Sequence, residues 1–382
     1  MNCTDILKLV GYPEDVLVID FESYFDSDYT LSKLSTVEYV LDERFEVTGC
    51  GFYHLDRLPP YFSIAGDTGT EKYRTVDETF ESLKTGYGEN LERLTVVIQN
   101  AKFDALVLKH HYGIEPPYII DVKDLACHYD SRMSHKLKDL AKMFKLEDKG
   151  DTSQFKGLHA EEIMDEPVLL SSLEGYTVND CRIEGELFKI LLPKVTNPKM
   201  EIPLARHTLG MYLNPVISFD FEKAKELVEG MQSEMIGAAR QWKISDLSGN
   251  KSFRLLLEAA MPDGEEIPMK QGKKKMIPAL AKDDDGMKSL LTHKCATVRN
   301  LASARQAVKS WPLHIGRVKS MIAQANAWGG KLGMPLNYYG AHTGRWSGTE
   351  KINVHNFGGR GRAGKGIHPL IGQVRELLIA GE

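Results

Sequence analysis

Apolar residues in the first half of the chain fall into two patterns. Short continuous apolar runs predict buried strands over 16–21, 46–54 and 94–99. Apolar residues at helical spacing predict helices over about 79–86, 101–111, 133–145 and 174–191. Strands that alternate with helices, without an internal repeat, favour an α/β domain. Pro193 and Pro198 interrupt any continuing helix, so we expect this domain to end near residue 197.

The rest of the chain has a different pattern. Asp220 is placed to cap a long amphipathic helix that extends to about Trp242. Further helices are predicted over 251–260 and 285–326. Glycine becomes frequent from Trp328 onward, with 13 glycines in the final 55 residues. These patterns predict a helical region to about residue 334, followed by a loop-rich segment.

Length and composition exclude several classes of protein. A chain of 382 residues exceeds what one hydrophobic core usually serves, so at least two domains are expected. Hydrophobic residues at 42% and charged residues at 26% exclude a disordered, collagen-like or coiled-coil chain. The chain has no apolar run near the roughly 20 residues that span a bilayer, and its first residues do not resemble a signal peptide. We therefore expect no association with a membrane.

Charge is distributed unevenly along the chain. Residues 305–382 hold 11 Lys and Arg against 3 Asp and Glu, a local charge of +8. The net charge of −5 then leaves −13 for residues 1–304. A basic C-terminal fifth on an acidic body indicates contact with a polyanion at that end, although a solvated basic surface explains the same charges.

The positions of the cysteines indicate the redox environment in which the protein works. The five cysteines are widely scattered and form no Cys-x-x-Cys pair, which makes a zinc site or a disulfide framework improbable. A reducing compartment, the cytoplasm, is therefore expected.

Three short motifs place candidate catalytic residues on predicted elements. Asp20 and Glu22 share one face of the first strand, because side chains alternate along a strand. Asn100 is placed to cap the helix that follows the third strand, with Asp104 on its first turn. Tyr176 and Asp180 project from one face of a later helix, at positions i and i+4. Taken singly, a surface turn, a helix cap and a core tyrosine beside a solvated aspartate explain the three motifs.

In this order and context, however, the three motifs resemble those of the tyrosine-containing branch of the DEDD exonucleases. They are spread over about 160 residues of one α/β domain, as in that family. The resemblance implies an RNase H-like fold and a 3′→5′ exonuclease that acts on DNA or RNA ends. Its catalytic residues would be Asp20, Glu22, Asp104, Tyr176 and Asp180.

Phosphodiester hydrolysis requires a positioned water molecule and neutralisation of charge at phosphorus. Two Mg²⁺ or Mn²⁺ ions supply both, and carboxylates are suitable ligands because hard cations prefer oxygen. We assign Asp20, Glu22 and Asp180 to the tighter ion, with Asp20 bridging to a second ion that Asp104 and the substrate phosphate help to hold. Tyr176 would orient the attacking water, since a phenol with a reference pKa of about 10 is a poor base.

The C-terminal segment resembles the start of the palm in family A DNA polymerases, especially those of phages. The resemblance rests on Thr343-Gly344-Arg345 and on the spacing of Asn353 and Asn356. It implies that Arg345 and Asn356 contact the minor groove of the primer-template duplex, where every base pair offers acceptors at the same places. Lysines would meet phosphates, although each lysine taken singly is better explained as a solvated surface group. The expected DNA-binding residues are Asn100, Lys273, Lys274, Lys275, Lys331, Arg345, Asn353 and Asn356.

The polymerase motifs themselves are not found in this sequence. It contains no Asp-x-Ser-Gln-x-Glu strand, no Arg-x-x-x-Lys fingers helix and no His-Asp-Glu hairpin. The expectation is a split polymerase whose second polypeptide supplies the rest of the palm and the fingers, or a truncated chain. The expected domains are an exonuclease (1–197), a thumb-like helical region (198–334) and the start of the palm (335–382).

The expected activity is proofreading of DNA during replication, in a bacterial host cytoplasm if the protein is viral. The DNA partners would be a single-stranded 3′ end and a primer-template duplex. Two alternatives stay open, namely a free-standing exonuclease for DNA repair or RNA trimming, and a non-catalytic DNA-binding subunit.

Overall fold

The structure is a computed structural model that describes residues 1–66, 72–272, 275–357 and 368–380. The chain divides into two compact units. The first unit comprises Met1–Ser218 and Ala323–His355, and the second comprises Phe219–Ile322 and the described part of Asn356–Ala380. These limits differ from the predicted domain limits at 197 and 334, which remain a functional prediction.

A five-stranded mixed sheet forms the centre of the first unit. Its strands are β1 (Val16–Ser23), β2 (Val47–His54), β3 (Tyr61–Ile64), β4 (Thr95–Ile98) and β5 (Ile119–Asp121). The strand order is β3-β2-β1-β4-β5. The pairs β1–β4 and β4–β5 are parallel, whereas β2 is antiparallel to both of its neighbours. This is the arrangement of an RNase H-like fold, so the predicted α/β class is confirmed.

Helices connect the strands and lie on both faces of the sheet. They are α1 (Cys3–Val10), α2 (Thr36–Val40), α3 (Val76–Tyr87), α4 (Lys102–His111), α5 (Val122–Tyr129), α6 (Leu137–Met143), α7 (Ala160–Asp165), α8 (Pro167–Leu191) and α9 (Pro198–Leu213). The predicted helices over 79–86 and 101–111 are confirmed within a few residues. The prediction for 174–191 found only part of α8, which begins at Pro167 because proline is well suited to the first turn of a helix.

Successive side chains of β1 pack into two different cores, one on each face of the sheet. Leu17, Ile19 and Phe21 pack on one face. Val16 and Val18 pack on the other face, in a cluster that includes Cys181, Ile183 and Leu187 of α8. Asp20 and Glu22 continue the even-numbered series and therefore lie on the face that α8 covers.

Two segments after α9 also belong to the first unit, namely residues 214–218 and 323–355. The segment β6 (Ile217–Phe219) pairs through Ile217 with Leu332 of β9 (Lys331–Leu332). Residues 335–355 form a small hairpin, and the Glu350 carboxylate accepts a hydrogen bond of 2.7 Å from the backbone of Thr36. Contacts of this kind place 335–355 in the unit that contains the sheet.

The second unit is mainly helical. Its helices are α10 (Phe221–Ala238), α11 (Ile244–Ser248), α12 (Asn250–Ala260), α13 (Asp285–Leu291), α14 (Ala296–Ala327, which ends in the first unit) and α15 (Pro369–Gly372). Asp220 caps α10 by accepting a hydrogen bond from Lys223 N, as predicted. The helical pattern predicted over 285–326 corresponds to two helices, α13 and α14, which are separated at residues 292–295.

The remaining strands are short pairs. A hairpin joins β7 (Met269–Gln271) to β8 (Met276–Pro278), and β10 (Leu336–Asn337) pairs with β11 (Ser347–Gly348). The last strand is β12 (Leu378–Ile379). Within the described ranges, no helix combines the length and the apolarity that crossing a membrane requires.

Candidate active site

The end of β1 presents two carboxylates beside two glycines. In the antiparallel pairing with β2, Asp20 lies opposite Gly51 and Glu22 lies opposite Gly49. A Cβ atom on Gly51 would lie 2.6 Å from the Sγ atom of Cys181, which is closer than real side chains approach. The absence of a side chain at residue 51 therefore lets α8 pack close to the strand that carries Asp20.

Helix α8 brings a third carboxylate to this strand. Asp180 is fully buried, and a ligand atom from each of Asp20, Glu22 and Asp180 lies within 4.8 Å of the other two. We call these three residues the carboxylate cluster. Residues 20 and 180 are far apart in sequence, so the cluster depends on the packing of α8 against the sheet.

Asp104 is placed differently from the other three carboxylates. It is buried on the first turn of α4, and its Oδ1 atom accepts a hydrogen bond of 3.0 Å from the backbone N–H of Phe21. Among the described residues, it is not a member of the carboxylate cluster. Asp104 therefore fixes the backbone of β1 between Asp20 and Glu22.

The predicted helix cap at Asn100 is wrong. Asn100 has a left-handed backbone (φ 65°), and Ala101 takes the cap position of α4. Asp121 at the end of β5 accepts hydrogen bonds from the N–H groups of Asn100 and Ala101, each of 2.9 Å. The Asn100 side chain instead accepts a hydrogen bond of 2.7 Å from Lys123. The Asp121 side chain on the neighbouring strand thus accepts hydrogen bonds from the backbone before α4, where a cap by Asn100 was predicted.

Burial and mutual repulsion raise the pKa values of the cluster. Burial, followed by the negative charge of Asp180, raises the pKa of Asp20 from 3.8 to about 7. Burial and the charge of Asp20 raise the pKa of Glu22 well above its usual value. Burial also raises the pKa of Asp180, and Lys149 partly offsets that rise. Without a cation, the cluster therefore carries less negative charge than three free carboxylates at neutral pH.

The donor set of the cluster fits a hard divalent cation. Oδ2 of Asp20 and Oδ1 of Asp180 are buried and have no hydrogen-bond partner among the described residues. Buried carboxylate oxygens without partners are costly, and a cation that binds oxygen ligands removes that cost. Asp20, Glu22 and Asp180 could therefore hold a divalent cation.

Lys149 is a component of the site that sequence reasoning missed. Its ammonium group forms an ion pair with Asp180 and lies 4.9 Å from the centre of the Tyr176 ring. Lys149 lies in a polar loop after α6, and no periodicity or motif marks it in the sequence. Only its position in space associates it with the cluster.

Tyr176 lies beside the cluster on α8. Burial, followed by the charges of Glu22 and Asp180, raises the pKa of the Tyr176 hydroxyl above its usual value. The phenol therefore keeps its proton at neutral pH. This leaves Tyr176 as a hydrogen-bond donor rather than a base.

Glu184 is a second residue that sequence reasoning missed. It lies one turn beyond Asp180, is 1% exposed, and its Oε2 atom has no partner among the described residues. Burial and the charge of Asp20 raise its pKa well above the usual value. The i, i+4, i+8 spacing of Tyr176, Asp180 and Glu184 is the signal that could have revealed it.

Three of the predicted DNA-binding residues lie at the surface, whereas Asn100 and Asn353 are half-buried. Lys275, Lys331 and Arg345 are exposed. The Arg345 guanidinium donates a hydrogen bond of 2.9 Å to the hydroxyl of Thr343.

The remaining predicted DNA-binding residues are bound to a neighbouring residue or lie partly or wholly outside the described residues. Asn353 accepts a hydrogen bond of 3.1 Å from the backbone of His355. Asn356 ends a short 3-10 helix, and its side chain is outside the described part of the chain. Lys273 and Lys274 also lie outside the described residues.

Comparison with known proteins agrees with this architecture of an α/β domain with a carboxylate cluster. Residues 64–196 match the family model described as 3′-5′ exonuclease, the exonuclease of DNA polymerase A. The predicted resemblance to a 3′-5′ exonuclease domain is therefore confirmed over these residues, and the match supports a nuclease. The matched range includes Asp104, Tyr176 and Asp180 but begins after Asp20 and Glu22, which the fold brings to the same site.

A solved structure extends the likeness in fold to nearly the whole chain. The POL domain of Pol1 from M. smegmatis, in complex with DNA primer-template and dNTP, matches with a TM-score of 0.54 and 16% sequence identity. The match covers 97% of this chain, which spans only 56% of the length of that polymerase chain. No curated protein matches the sequence.

The raised pKa of Asp20 predicts a pH-dependent stability. Without metal, the folded protein retains a proton on Asp20 that the unfolded chain releases between pH 3.8 and about 7. The free energy of unfolding should therefore fall as the pH rises through this interval. We expect the melting temperature in EDTA to be several degrees higher at pH 5 than at pH 8, and Mg²⁺ to restore it at pH 8.

Thermal unfolding with EDTA and with Mg²⁺ at both pH values tests this expectation. The matched control is Asp20→Asn, which cannot titrate at this position and should have a smaller pH dependence. A melting temperature in EDTA that depends on pH equally in both proteins would contradict the role of Asp20.

Two substitutions separate the structural and the chemical contributions of Asp104. Asp104→Ala leaves the buried N–H of Phe21 without its acceptor and should reduce the free energy of unfolding by about 1–3 kcal/mol. Asp104→Asn keeps an oxygen acceptor but removes the charge, so its stability should change little. Urea unfolding and the nuclease rate are measured for both variants. If Asp104→Asn digests DNA at the normal rate, Asp104 has only the structural role.

Proposed function

We propose that this chain is a 3′→5′ exonuclease that removes nucleotides from DNA ends, and that it serves as the proofreading part of a family A DNA polymerase in the cytoplasm. The observation that carries the proposal is the carboxylate cluster of Asp20, Glu22 and Asp180. The cluster is completed by residues of a domain that matches a 3′-5′ exonuclease family. The likeness in fold to a polymerase domain supports the connection with DNA synthesis.

The reaction is hydrolysis of the last phosphodiester of a strand. The oxygen of a water molecule attacks phosphorus, and the bond from phosphorus to the 3′ oxygen of the preceding nucleotide breaks. The products are a nucleoside 5′-monophosphate and a strand with a new 3′-hydroxyl end. Bound divalent cations, two in this proposal and Mg²⁺ or Mn²⁺ by ligand chemistry, supply charge neutralisation and activation of water.

The residues of this chain hold and orient the reactants. Asp20, Glu22 and Asp180 would hold a divalent cation, and in this proposal Asp20 and Asp104 would help to hold a second one. Tyr176 keeps its proton and donates a hydrogen bond that orients the attacking water.

DNA is the proposed partner of the exposed basic residues. Lys331 and Arg345 in the first unit are exposed, and with Asn353 they are the described residues we propose for contact with the primer-template duplex. A groove of about 1060 Å³ in the second unit supports the same proposal. The groove is lined by Lys270, Lys282, Arg305, Lys309, His314 and His368, and by the single acid Asp284.

Two lysines of the groove are available for phosphate. Lys270 forms an ion pair with Asp284, and Arg305 donates to backbone oxygens and to Asn250. Lys282 and Lys309 form no ion pair with a described residue. They therefore keep their charges for a polyanion.

Reversing the charge of one of these lysines should weaken the binding of DNA by the same factor whatever the DNA sequence. We expect Lys309→Glu to reduce the affinity for single-stranded DNA about tenfold at moderate salt and to lower the slope of affinity against salt by about one. Fluorescence anisotropy over a range of salt concentrations measures both quantities. The matched control is Lys288→Glu, because Lys288 forms a surface pair with Asp285 and does not line the groove. Equal loss in both variants would exclude the groove as a specific contact.

We also propose that nucleotide addition requires a second polypeptide with the remaining palm carboxylates and the fingers. The sequence given holds none of the polymerase motifs, and it spans 56% of the matched polymerase chain. DNA synthesis should then require the partner chain, and mixing the two purified proteins should restore it. Failure of the purified proteins to associate would count against this part of the proposal.

One nuclease assay tests the proposed activity against its alternatives. The purified chain is given matched DNA and RNA oligonucleotides, and paired and mispaired primer-templates, with Mg²⁺ and with EDTA. Proofreading predicts Mg²⁺-dependent release of 5′-monophosphates from DNA, faster from mispaired than from paired ends. Equal digestion of both ends favours a repair exonuclease, preference for RNA favours RNA trimming, and DNA binding without digestion favours a non-catalytic subunit.

A further inference from the structure

A short segment after α6 lies across the carboxylate cluster, and we call residues Glu147–Gly150 the strap. Two side chains of α8 hold it in place. Asn179 donates a hydrogen bond of 3.0 Å to the backbone oxygen of Asp148, and Arg182 donates one of 3.0 Å to Glu147. Neither anchor involves a residue of the carboxylate cluster.

Between these anchors the strap inserts Lys149 into the cluster. The Lys149 side chain is only 26% exposed, and its ammonium group pairs with Oδ2 of the fully buried Asp180. Gly150 packs on Tyr176, since a Cβ atom there would lie 2.9 Å from Cδ2 of the ring. The strap thus contacts the ring of Tyr176 and the carboxylate of Asp180 at the same time.

The Asp180 carboxylate cannot bind the Lys149 ammonium group and a divalent cation equally well at the same time. Asp180 has one oxygen on Lys149, and its other oxygen has no partner among the described residues. A divalent cation bound to Asp20, Glu22 and Asp180 would lie close to the ammonium group and would repel it strongly in this partly desolvated site. Entry of the cation and withdrawal of Lys149 are therefore coupled.

We propose that the strap is a cation-operated latch, in which Lys149 occupies the carboxylate cluster of the metal-free protein and a divalent cation displaces Lys149 and releases the strap. This inference rests on the proposed cation site. The latch closes the cluster with the protein's own positive charge when no divalent cation is bound. It then opens the Tyr176 side of the site when the cation enters.

The test compares the wild-type protein with Lys149→Met and Lys149→Arg. Lys189→Met is the matched control, because Lys189 lies on α8 and pairs with Asp56 and Glu186 away from the cluster. Isothermal titration calorimetry measures Mn²⁺ affinity. Hydrogen–deuterium exchange of peptides that contain the strap is measured with Mg²⁺ and with EDTA, so neither readout depends on nuclease activity.

The latch predicts a specific combination of results. Mg²⁺ should accelerate exchange in the strap of the wild-type protein and of Lys189→Met, but should have little effect in Lys149→Met, whose strap already exchanges fast. Lys149→Met should bind Mn²⁺ about tenfold more tightly, because a closed state populated about nine-tenths of the time lowers the apparent affinity by that factor. Lys149→Arg keeps the charge and should behave as the wild type does.

The outcomes separate this inference from the proposed function. If wild-type protein binds no Mn²⁺, the cation site itself is wrong and the latch falls with it. If Mn²⁺ binds but Mg²⁺ leaves strap exchange unchanged or slows it, the cation site stands and the latch is overturned. Tighter binding by Lys149→Met without any change in strap exchange also overturns the latch, because Lys149 would then act only through its charge.

Discussion

Replacing Asp180 with alanine is expected to reduce 3′→5′ digestion of single-stranded DNA by at least about a thousandfold, which corresponds to roughly 4 kcal/mol of lost transition-state stabilisation. Asp180 is fully buried and is the only carboxylate of the cluster that comes from α8. Without it, two carboxylates of one strand remain, too few to fix a cation in position. Asp20→Ala should have an effect of the same size.

DNA binding should survive in both variants, because the proposed contacts with DNA lie elsewhere. Glu186→Ala is the matched control, since Glu186 is a carboxylate on the same helix that pairs with Lys189 near the surface. Digestion rates are measured under single-turnover conditions with labelled oligonucleotide, and binding is measured by anisotropy in EDTA. A normal digestion rate in Asp180→Ala or Asp20→Ala would show that the site is assigned to the wrong residues.

Replacing Gly51 with valine is expected to damage both the fold and the site. A Cβ atom at this position would lie 2.6 Å from Sγ of Cys181 and 2.8 Å from Cγ2 of Thr177. Since both neighbours are buried, α8 must move away, and overpacking of this kind costs about 1–3 kcal/mol. Displacement of Asp180 from Asp20 by about 1 Å should reduce the nuclease rate about a hundredfold.

The control for this substitution is Gly175→Val on α8. A Cβ atom at Gly175 would have no neighbour within 4 Å, so valine should leave stability and activity close to those of the wild-type protein. Urea unfolding and the nuclease rate are compared between the two valine variants. If Gly51→Val is as stable and as active as Gly175→Val, the close packing of α8 on β2 does not determine the geometry of the cluster.

The substitutions at Asp180 and at Gly51 both act on the carboxylate cluster. Asp20 and Glu22 are held by β1, whose backbone is fixed by pairing with β2 and by the hydrogen bond from Phe21 to Asp104. Asp180 is held by α8, which packs on Gly51. The distance between the two sets of carboxylates therefore depends on buried packing, and substitutions away from the carboxylates can change it.

Features with a strong local signal were predicted well from the sequence. The apolar runs of β1 and β4 predicted strands close to their observed limits, because burial on both faces requires apolar residues at successive positions. The mixed run over 46–54 also predicted β2 within one residue. The cap at Asp220 was also correct, since an aspartate followed by an amphipathic pattern is a local signal. The strand β3 was missed because Ser63 interrupts its apolar run, and β5 was missed because three residues carry too little pattern.

Other errors came from interactions between distant residues. The sequence placed a cap at Asn100, but the acceptor for the backbone groups at the start of α4 is Asp121, from a different strand. The predicted domain limits at 197 and 334 stay a functional prediction, and they differ from the compact units because those units follow contacts between distant segments. Prolines and glycines mark where helices and strands end, but they do not determine which elements pack together.

The sequence by itself determined which carboxylates share a face. Alternation along a strand puts Asp20 and Glu22 on one side, and the helical repeat puts Tyr176 and Asp180 on one side. Only the tertiary structure decided that these two faces meet, that Asp104 binds the backbone of β1, and that Lys149 enters the cluster. The physical reason is that strand and helix periodicities are properties of neighbouring residues, whereas the approach of α8 and of the strap depends on buried packing between segments far apart in the chain.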